Sequence, residues 1–311
     1  MRYFRALFLL GWILAFGAQA QKQMVVTVDD LPAVTDYYRT PQSWMAFTRQ
    51  LVGHLTTHRV PAVGFVISGF LYRDSTPDTN QLNLLNVWLD AGLELGNHSR
   101  AHKDYNQITF AEFSQDVVGG EQLTKSLVER RGKSFRYFRH PFLHRGNTAA
   151  KKDSLEQFIK QRGYREAPVT IDNSDYVFAS AYDKALLAGD TGRAADIGRQ
   201  YVAYMLHYVD YYESQSGALF GRLIPQILLL HANTINATYL GDLLTGIQQK
   251  GYAFVTLDEA LNDKAYQTPD NFVSQSGISW IHRWALTQGK RGAFFKGEPE
   301  VPAVIAEWAA K

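Results

Sequence analysis

The chain has 311 residues, 46% hydrophobic, 13% aromatic and 20% charged, which excludes a disordered or collagen-like polymer and suits one large domain or two small ones. Thirty-two basic and 30 acidic side chains give a formal net charge of +2 without long runs of one sign, so nothing suggests a nucleic-acid partner. Cysteine is absent, which removes disulfides, thiol nucleophiles and zinc thiolate sites together; any metal must sit on His and carboxylate.

Residues 1–20 read as a signal peptide, with Arg2 and Arg5, an apolar stretch from Ala6 to Phe16, and Ala18-Gln19-Ala20 as a small-x-small cleavage pattern. The apolar core is shorter than the ~20 residues a spanning helix needs, so cleavage is expected, with no stable membrane insertion after it. Loss of Arg2 and Arg5 leaves 30 basic against 30 acidic side chains in an exported protein, periplasmic or secreted.

Seven short β-branched or apolar runs follow: Met24–Val28, Ala62–Ile67, Leu93–Gly96, Phe135–Phe138, Ala167–Ile171, Gln226–Leu230 and Ala253–Leu257. Between them Ser43–His58, Gln81–Ala91, Phe110–Arg131, Ser154–Arg162 and Thr238–Lys250 carry apolar residues at helical spacing. This alternation predicts an α/β fold with about seven parallel strands, as a sheet or barrel. Residues 21–262 read as one domain. Two stretches interrupt the pattern. Around 180–223 a Tyr-rich insertion carries Tyr201, Tyr204, Met205, Tyr208, Tyr211 and Tyr212 at helical spacing, read as core packing before sugar stacking. Residues 263–311 form an extension expected to cap the domain, with Trp280 and Trp284 on one helix face.

In parallel α/β folds the site forms at the carboxyl ends of the strands, and there the chemistry collects. Asp29-Asp30 follow the first strand, Asn97-His98-Ser99-Arg100-Ala101-His102 the third, Arg139-His140-Pro141-Phe142 the fourth and Asp172-Asn173-Ser174-Asp175-Tyr176 the fifth; His231 follows the sixth. Two vicinal aspartates at the end of an apolar strand need a cation or donors nearby. Three His pairs share a four-residue spacing, so spacing alone is weak. His54 and His58 sit in an expected amphipathic helix and read as surface residues, and Pro141 breaks the His140/His144 pair. His98 and His102 could reach an aspartate of the first strand. Two imidazoles and a carboxylate leave positions open on a catalytic metal. Of Asp29 and Asp30, one would bind the ion and the other take a proton from water; Arg139 could hold that base ionised, and His231 could protonate a leaving amine.

In order and spacing these motifs resemble the NodB-type polysaccharide deacetylases, metal-dependent carbohydrate esterases that remove N-acetyl groups. The resembling segments are Thr27-Val28-Asp29-Asp30-Leu31, His98-Ser99-Arg100-Ala101-His102, Arg139-His140-Pro141-Phe142, Asp172-Asn173-Ser174-Asp175-Tyr176 and Leu228-Leu229-Leu230-His231. The resemblance implies a distorted (β/α) barrel and a set of roles. Asp29 would be the general base, and Asp30, His98 and His102 would bind one divalent metal. Arg139 would pair with Asp29, His231 would be the general acid oriented by Asp175, and the Phe142 N–H would hold the oxyanion. Zinc is the expected ion; cobalt, nickel and manganese suit the same donors. Leu31 stands where the family has glycine, and Tyr176 where it has tryptophan. The implied activity is N-deacetylation of a sugar polymer or oligosaccharide. An O-acetyl esterase and a catalytically retired glycan-binding module are the alternatives; no G-x-S-x-G points to a serine hydrolase.

Overall fold

The computed structural model describes residues 21–311, so the expected signal peptide lies outside the described residues. The elements run β1 (Lys22–Leu31), α1 (Pro41–Thr57), β2 (Val63–Val66), β3 (Tyr72–Arg73), β4 (Thr76–Pro77), α2 (Thr79–Asp90), β5 (Glu94–Asn97), α3 (Phe110–Gly119), α4 (Gln122–Glu129), β6 (Tyr137–Phe138) and α5 (Ala149–Gln161). They continue with β7 (Arg165–Glu166), α6 (Asp175–Leu187), α7 (Thr191–Phe220), β8 (Gln226–His231), α8 (Thr234–Gln249), β9 (Tyr252–Phe254), α9 (Leu257–Leu261), α10 (Trp280–Thr287) and α11 (Ala303–Ala310).

One parallel sheet runs β7-β6-β5-β2-β1-β8, with β9 on the first residues of β1. β1 and β8 are continuous apolar runs because both faces are covered, one by helices and the other by the curled sheet itself, where Val25, Val63, Phe65, Tyr137, Ala167 and Ile227 cluster; Met24, Val25, Val26, Val28 and Ile227 to Leu230 are all buried. Their register sets Asp29 opposite His231, so two motifs far apart in sequence end side by side. Likewise Val66 pairs with Asn97 and Asn97 with Phe138, which brings the residues following β5 and β6 to the same rim.

The expected strand over 167–171 is not a regular one, and this is what makes the barrel distorted. Ala167 still donates to Phe138 on one side of the sheet. Pro168 has no N–H to continue the ladder, and the chain crosses to the far side, where Ile171 donates to Ile227 and Leu229 donates back to Ile171. The two edges of the sheet are thus joined by a few hydrogen bonds.

The helix expected over Phe110–Arg131 is two helices. At Gly120 a Cβ would lie 2.4 Å from Asn97 Oδ1 and 2.9 Å from the Ser99 carbonyl carbon, so the chain bends there to let the loop after β5 approach. The last expected strand stops at Phe254, because Thr256 and Glu259 form a capping box that starts α9. The β3–β4 hairpin, too short for a periodicity signal, is an addition.

The Tyr-rich stretch is α6 and α7 packed on α8, and Tyr201, Tyr204, Met205, Tyr208, Tyr211 and Tyr212 are all buried. Trp280, Ile281, Trp284 and Ile305 of the last segment join the same core. His54 and His58 are not free surface groups: His54 Nε2 meets the Ala237 carbonyl at 3.0 Å and His58 Nδ1 meets Gln248 Oε1 at 3.0 Å, tying α1 to α8. No helix among the described residues is long and apolar enough to cross a membrane.

Candidate active site

The strand ends place the metal-type donors together. His98 follows β5 directly, and Ser99 and His102 both take left-handed backbone (φ 65° and 51°), which turns the loop back so that the two imidazoles face one point. Asp30, itself at φ 63°, leaves β1 towards them. His98 Nε2 lies 3.5 Å and His102 Nε2 3.7 Å from Asp30 Oδ1, and the three donor atoms all fall within 4.8 Å of one another. Tetrahedral ligands at about 2.0–2.2 Å from a zinc ion stand about 3.3–3.6 Å apart, so this donor set fits a single divalent ion with little adjustment. The Asp30 Oδ1 atom is buried without a hydrogen-bond partner, as an oxygen reserved for a cation would be. His98 Nδ1 donates to the Arg139 carbonyl at 2.9 Å, which leaves Nε2 as the free lone pair. Burial, with His98 beside it, lowers the His102 imidazole to about 4, so it is neutral and able to ligate near pH 7. Burial works to raise the Asp30 carboxyl, but His98, His231 and His102 outweigh it and hold Asp30 well below the usual carboxylate range.

Leu31, where the resemblance expected glycine, has no left-handed φ: the left-handed residue is Asp30. Its side chain instead fills space beside Gly64, where an added Cβ would stand 2.6 Å from Leu31 Cδ2.

Asp29 is 2% exposed and sits beside Arg139, which is fully buried. Arg139 donates to Asp29 Oδ2 at 3.3 Å and to Thr27 Oγ1 at 2.9 Å, and its guanidinium lies over the Phe65 ring at 4.7 Å. Burial lowers the guanidinium from its ordinary value, yet it remains the cation that compensates the Asp29 carboxylate. Asp29 Oδ1 has no partner.

Across the same rim His231 Nδ1 meets Asp175 Oδ1 at 2.6 Å. Asp175 is the first residue of α6 and is fully buried; its Oδ2 accepts from the His231 N–H (2.9 Å), Asn233 Nδ2 (3.1 Å) and Asn236 Nδ2 (2.8 Å). Burial disfavours a charged imidazole, but Asp175, and beyond it Asp30 and Asp29, override that and raise His231 to about 10. Tyr201 of α7 donates to Asn236 Oδ1 at 2.5 Å, so the Tyr-rich helix supports this pair from behind. From the sequence Tyr201 is expected only as core packing, and Asn233 and Asn236 carry no expected role. Asn233-x-x-Asn236 directly after the strand-end His was the available signal, since Asn233 also caps α8.

A cleft of about 840 Å³ runs over these groups. Phe142 stands at its rim, 52% exposed, with its ring 4.5 Å from that of His102. Tyr176 flanks His231 on the other side, and Tyr208 reaches the cleft from the otherwise buried stripe. Asp172 also lines it, pushed up to about 7 by burial and by the Glu298 carboxylate. His140 and His144 line the cleft but bind carboxylates, Glu166 at 2.6 Å and Asp104 at 2.7 Å, rather than sharing a metal site. Neither Trp280 nor Trp284 is part of this wall; Gln275, Ser276, Gly277 and Glu298 of the last segment are. All eight residues expected at the site, Asp29, Asp30, His98, His102, Arg139, Phe142, Asp175 and His231, are therefore on or directly behind one cleft.

Comparison with known proteins gives the following. Residues 17–165 match the family model described as polysaccharide deacetylase, a span that holds the first three motifs. No curated protein sequence matches the chain. Among solved structures, a carbohydrate esterase family 4 pseudoenzyme from Bacillus anthracis is 16% identical over 78% of this chain and 66% of its own, with a TM-score of 0.50. A mutant of it with restored enzymatic activity matches at the same identity and TM-score, over 78% and 68%. A family 4 carbohydrate esterase from Streptomyces lividans in complex with acetate is 17% identical over 78% and 97%, with a TM-score of 0.49. The pseudoenzyme and its mutant share this chain's fold, the sheet curled into a distorted barrel. Over residues 17–165, a little under half of its length, the chain is thus similar in sequence to the polysaccharide deacetylase family.

Proposed function

We propose that the chain is an exported, metal-dependent hydrolase that removes N-acetyl groups from an N-acetylated sugar polymer or oligosaccharide. The supporting observation is that one cleft brings together three metal-type donors, a buried carboxylate clamped by an arginine, and an imidazole kept charged by a second carboxylate. Export rests on the leader-like pattern of residues 1–20.

Asp30, His98 and His102 would hold one divalent ion, zinc first among the candidates, and the ion would act as a Lewis acid on the acetyl carbonyl and the attacking water. Asp29 takes the proton from that water through Oδ1, while Arg139 donates to Oδ2 and orients the carboxylate. The Phe142 N–H donates to the oxygen on which charge develops. His231 gives its Nε2 proton to the departing nitrogen, and Asp175 compensates the imidazolium until then. Acetate and a free amine are the products. An amine leaves only once protonated, so an imidazole held charged up to about pH 10 suits an amide substrate.

The test is acetate release from chitooligosaccharides, peptidoglycan fragments and an O-acetylated polysaccharide, with chelator and with zinc restored. Zinc-dependent release from an N-acetylated substrate is expected. Release from the O-acetylated substrate alone would replace the reading with an esterase, and tight glycan binding without turnover would replace it with a binding module.

A further inference from the structure

Phe142 and Leu143 are consecutive non-glycine residues in the left-handed region, at φ 56° and 55°, a conformation disfavoured for each of them. Something must hold the pair there. The Leu143 and His144 amides donate to the His140 and Pro141 carbonyls at 3.0 Å, and the Phe142 amide takes no part in these bonds. From the outside the loop is closed by the last segment of the chain. At Gly277 an added Cβ would stand 1.9 Å from the Phe142 carbonyl oxygen and 2.9 Å from Leu143 Cβ, so backbone lies directly against backbone. Gly277 has no positive φ; only space demands a glycine there.

The segment carrying Gly277 is itself anchored on both sides. Before it, Asn106 Nδ2 donates to the Gln275 carbonyl at 3.0 Å, and Asn147 Nδ2 to Gln275 Oε1 at 3.1 Å. After it, the Ser279 hydroxyl donates to the Thr170 carbonyl and the Trp280 N–H to that of Val169, both at 2.7 Å. Asn106 belongs to the loop that follows His102, and Asn147 to the one that follows Phe142. Residues 274–280 thus strap the metal loop, the Phe142 loop and the barrel closure together.

Resting on the deacetylase reading, we infer that Gly277 is a positioning residue: by seating the C-terminal segment against the Phe142 carbonyl, it holds that peptide left-handed and its neighbouring amide turned to the reaction centre. The extension is then part of the catalytic apparatus rather than an added cap.

Gly277→Ala and, as a milder change, Asn106→Ala test this. Each is compared with the wild-type chain for kcat and KM on a chitooligosaccharide, zinc affinity, melting temperature, and amide hydrogen exchange across residues 141–145. Loss of a whole oxyanion donor lowers kcat about 10²–10³-fold, so a displaced one in Gly277→Ala should lower it roughly 10- to 100-fold. KM and zinc affinity should stay within about twofold while exchange at 141–145 accelerates, with Asn106→Ala smaller in the same direction. Unchanged exchange at 141–145 in both folded variants overturns the inference, as does a kcat loss matched by an equal loss of zinc affinity. A wild-type chain that releases no acetate overturns the functional reading instead, and the exchange measurement still decides whether Gly277 holds the loop.

Discussion

Replacing Asp175 by Asn tests the acid side of the mechanism most directly. Asp175 Oδ2 accepts three N–H groups, so the carboxamide oxygen of Asn must stay in that position and its NH2 must turn to His231 Nδ1. A donor then faces the Nδ1–H of the imidazolium. The ring escapes the clash only by giving up the Nδ1 proton and accepting there, which leaves a neutral imidazole with its proton on Nε2. Asp175 is the largest of the influences that raise His231 from 6.5 to about 10, so removing its charge lowers the imidazole. The sign is definite: the proton that the wild-type imidazole keeps until pH approaches 10 is lost at lower pH in the variant. The whole contribution of a positioned general acid, about 10²–10⁴-fold, is at stake. The assay is kcat/KM for acetate release from pH 5 to 10 on a chitooligosaccharide and on 4-nitrophenyl acetate, whose leaving group needs no proton. The variant's basic limb on the amide should move to lower pH, while its rate on the activated ester stays within a few fold of wild type. Equal losses on both substrates with an unmoved basic limb would refute His231 as a general acid held charged by Asp175.

Three further outcomes follow from the same geometry. His102→Ala removes one of three donors, so a zinc-dependent rise in melting temperature, worth about 2.7 kcal/mol at a hundredfold excess over Kd, should be present in the wild type and absent in the variant; calorimetry with and without zinc reads it. Tyr201→Phe leaves Asn236 Oδ1 without its donor and should cost about 1–2 kcal/mol in urea unfolding, with the His231 limb nearly in place because both Asn236 bonds to Asp175 and the His231 carbonyl survive. Gly120→Ala drives a Cβ to 2.4 Å from Asn97 Oδ1 and should cost about 1–3 kcal/mol, while weakening zinc binding because the loop it presses on carries His98 and His102; denaturant midpoints and zinc titration check both parts.

Local order was legible in the residues wherever one element carries its own signal. Apolar runs such as Val25–Val28 and Ile227–Leu230 announced parallel strands because a strand buried on both faces has no polar positions to alternate with. Ionisable groups at their carboxyl ends pointed to one rim, and the helical spacing of the tyrosines to a buried stripe. Tertiary contact decided the rest. Both aspartates come near His98, and that Asp30 alone of the two also reaches His102 goes with its left-handed turn at the end of β1, which composition does not encode. The break at Gly120 and the crossing at Pro168 answer to neighbours more than 20 residues away, and the support of Asp175 by Asn236 and Tyr201 joins three elements. The closure of Gly277 on Phe142 spans 135 residues of chain and shows only as a missing Cβ, a signal that exists once the two backbones are in contact.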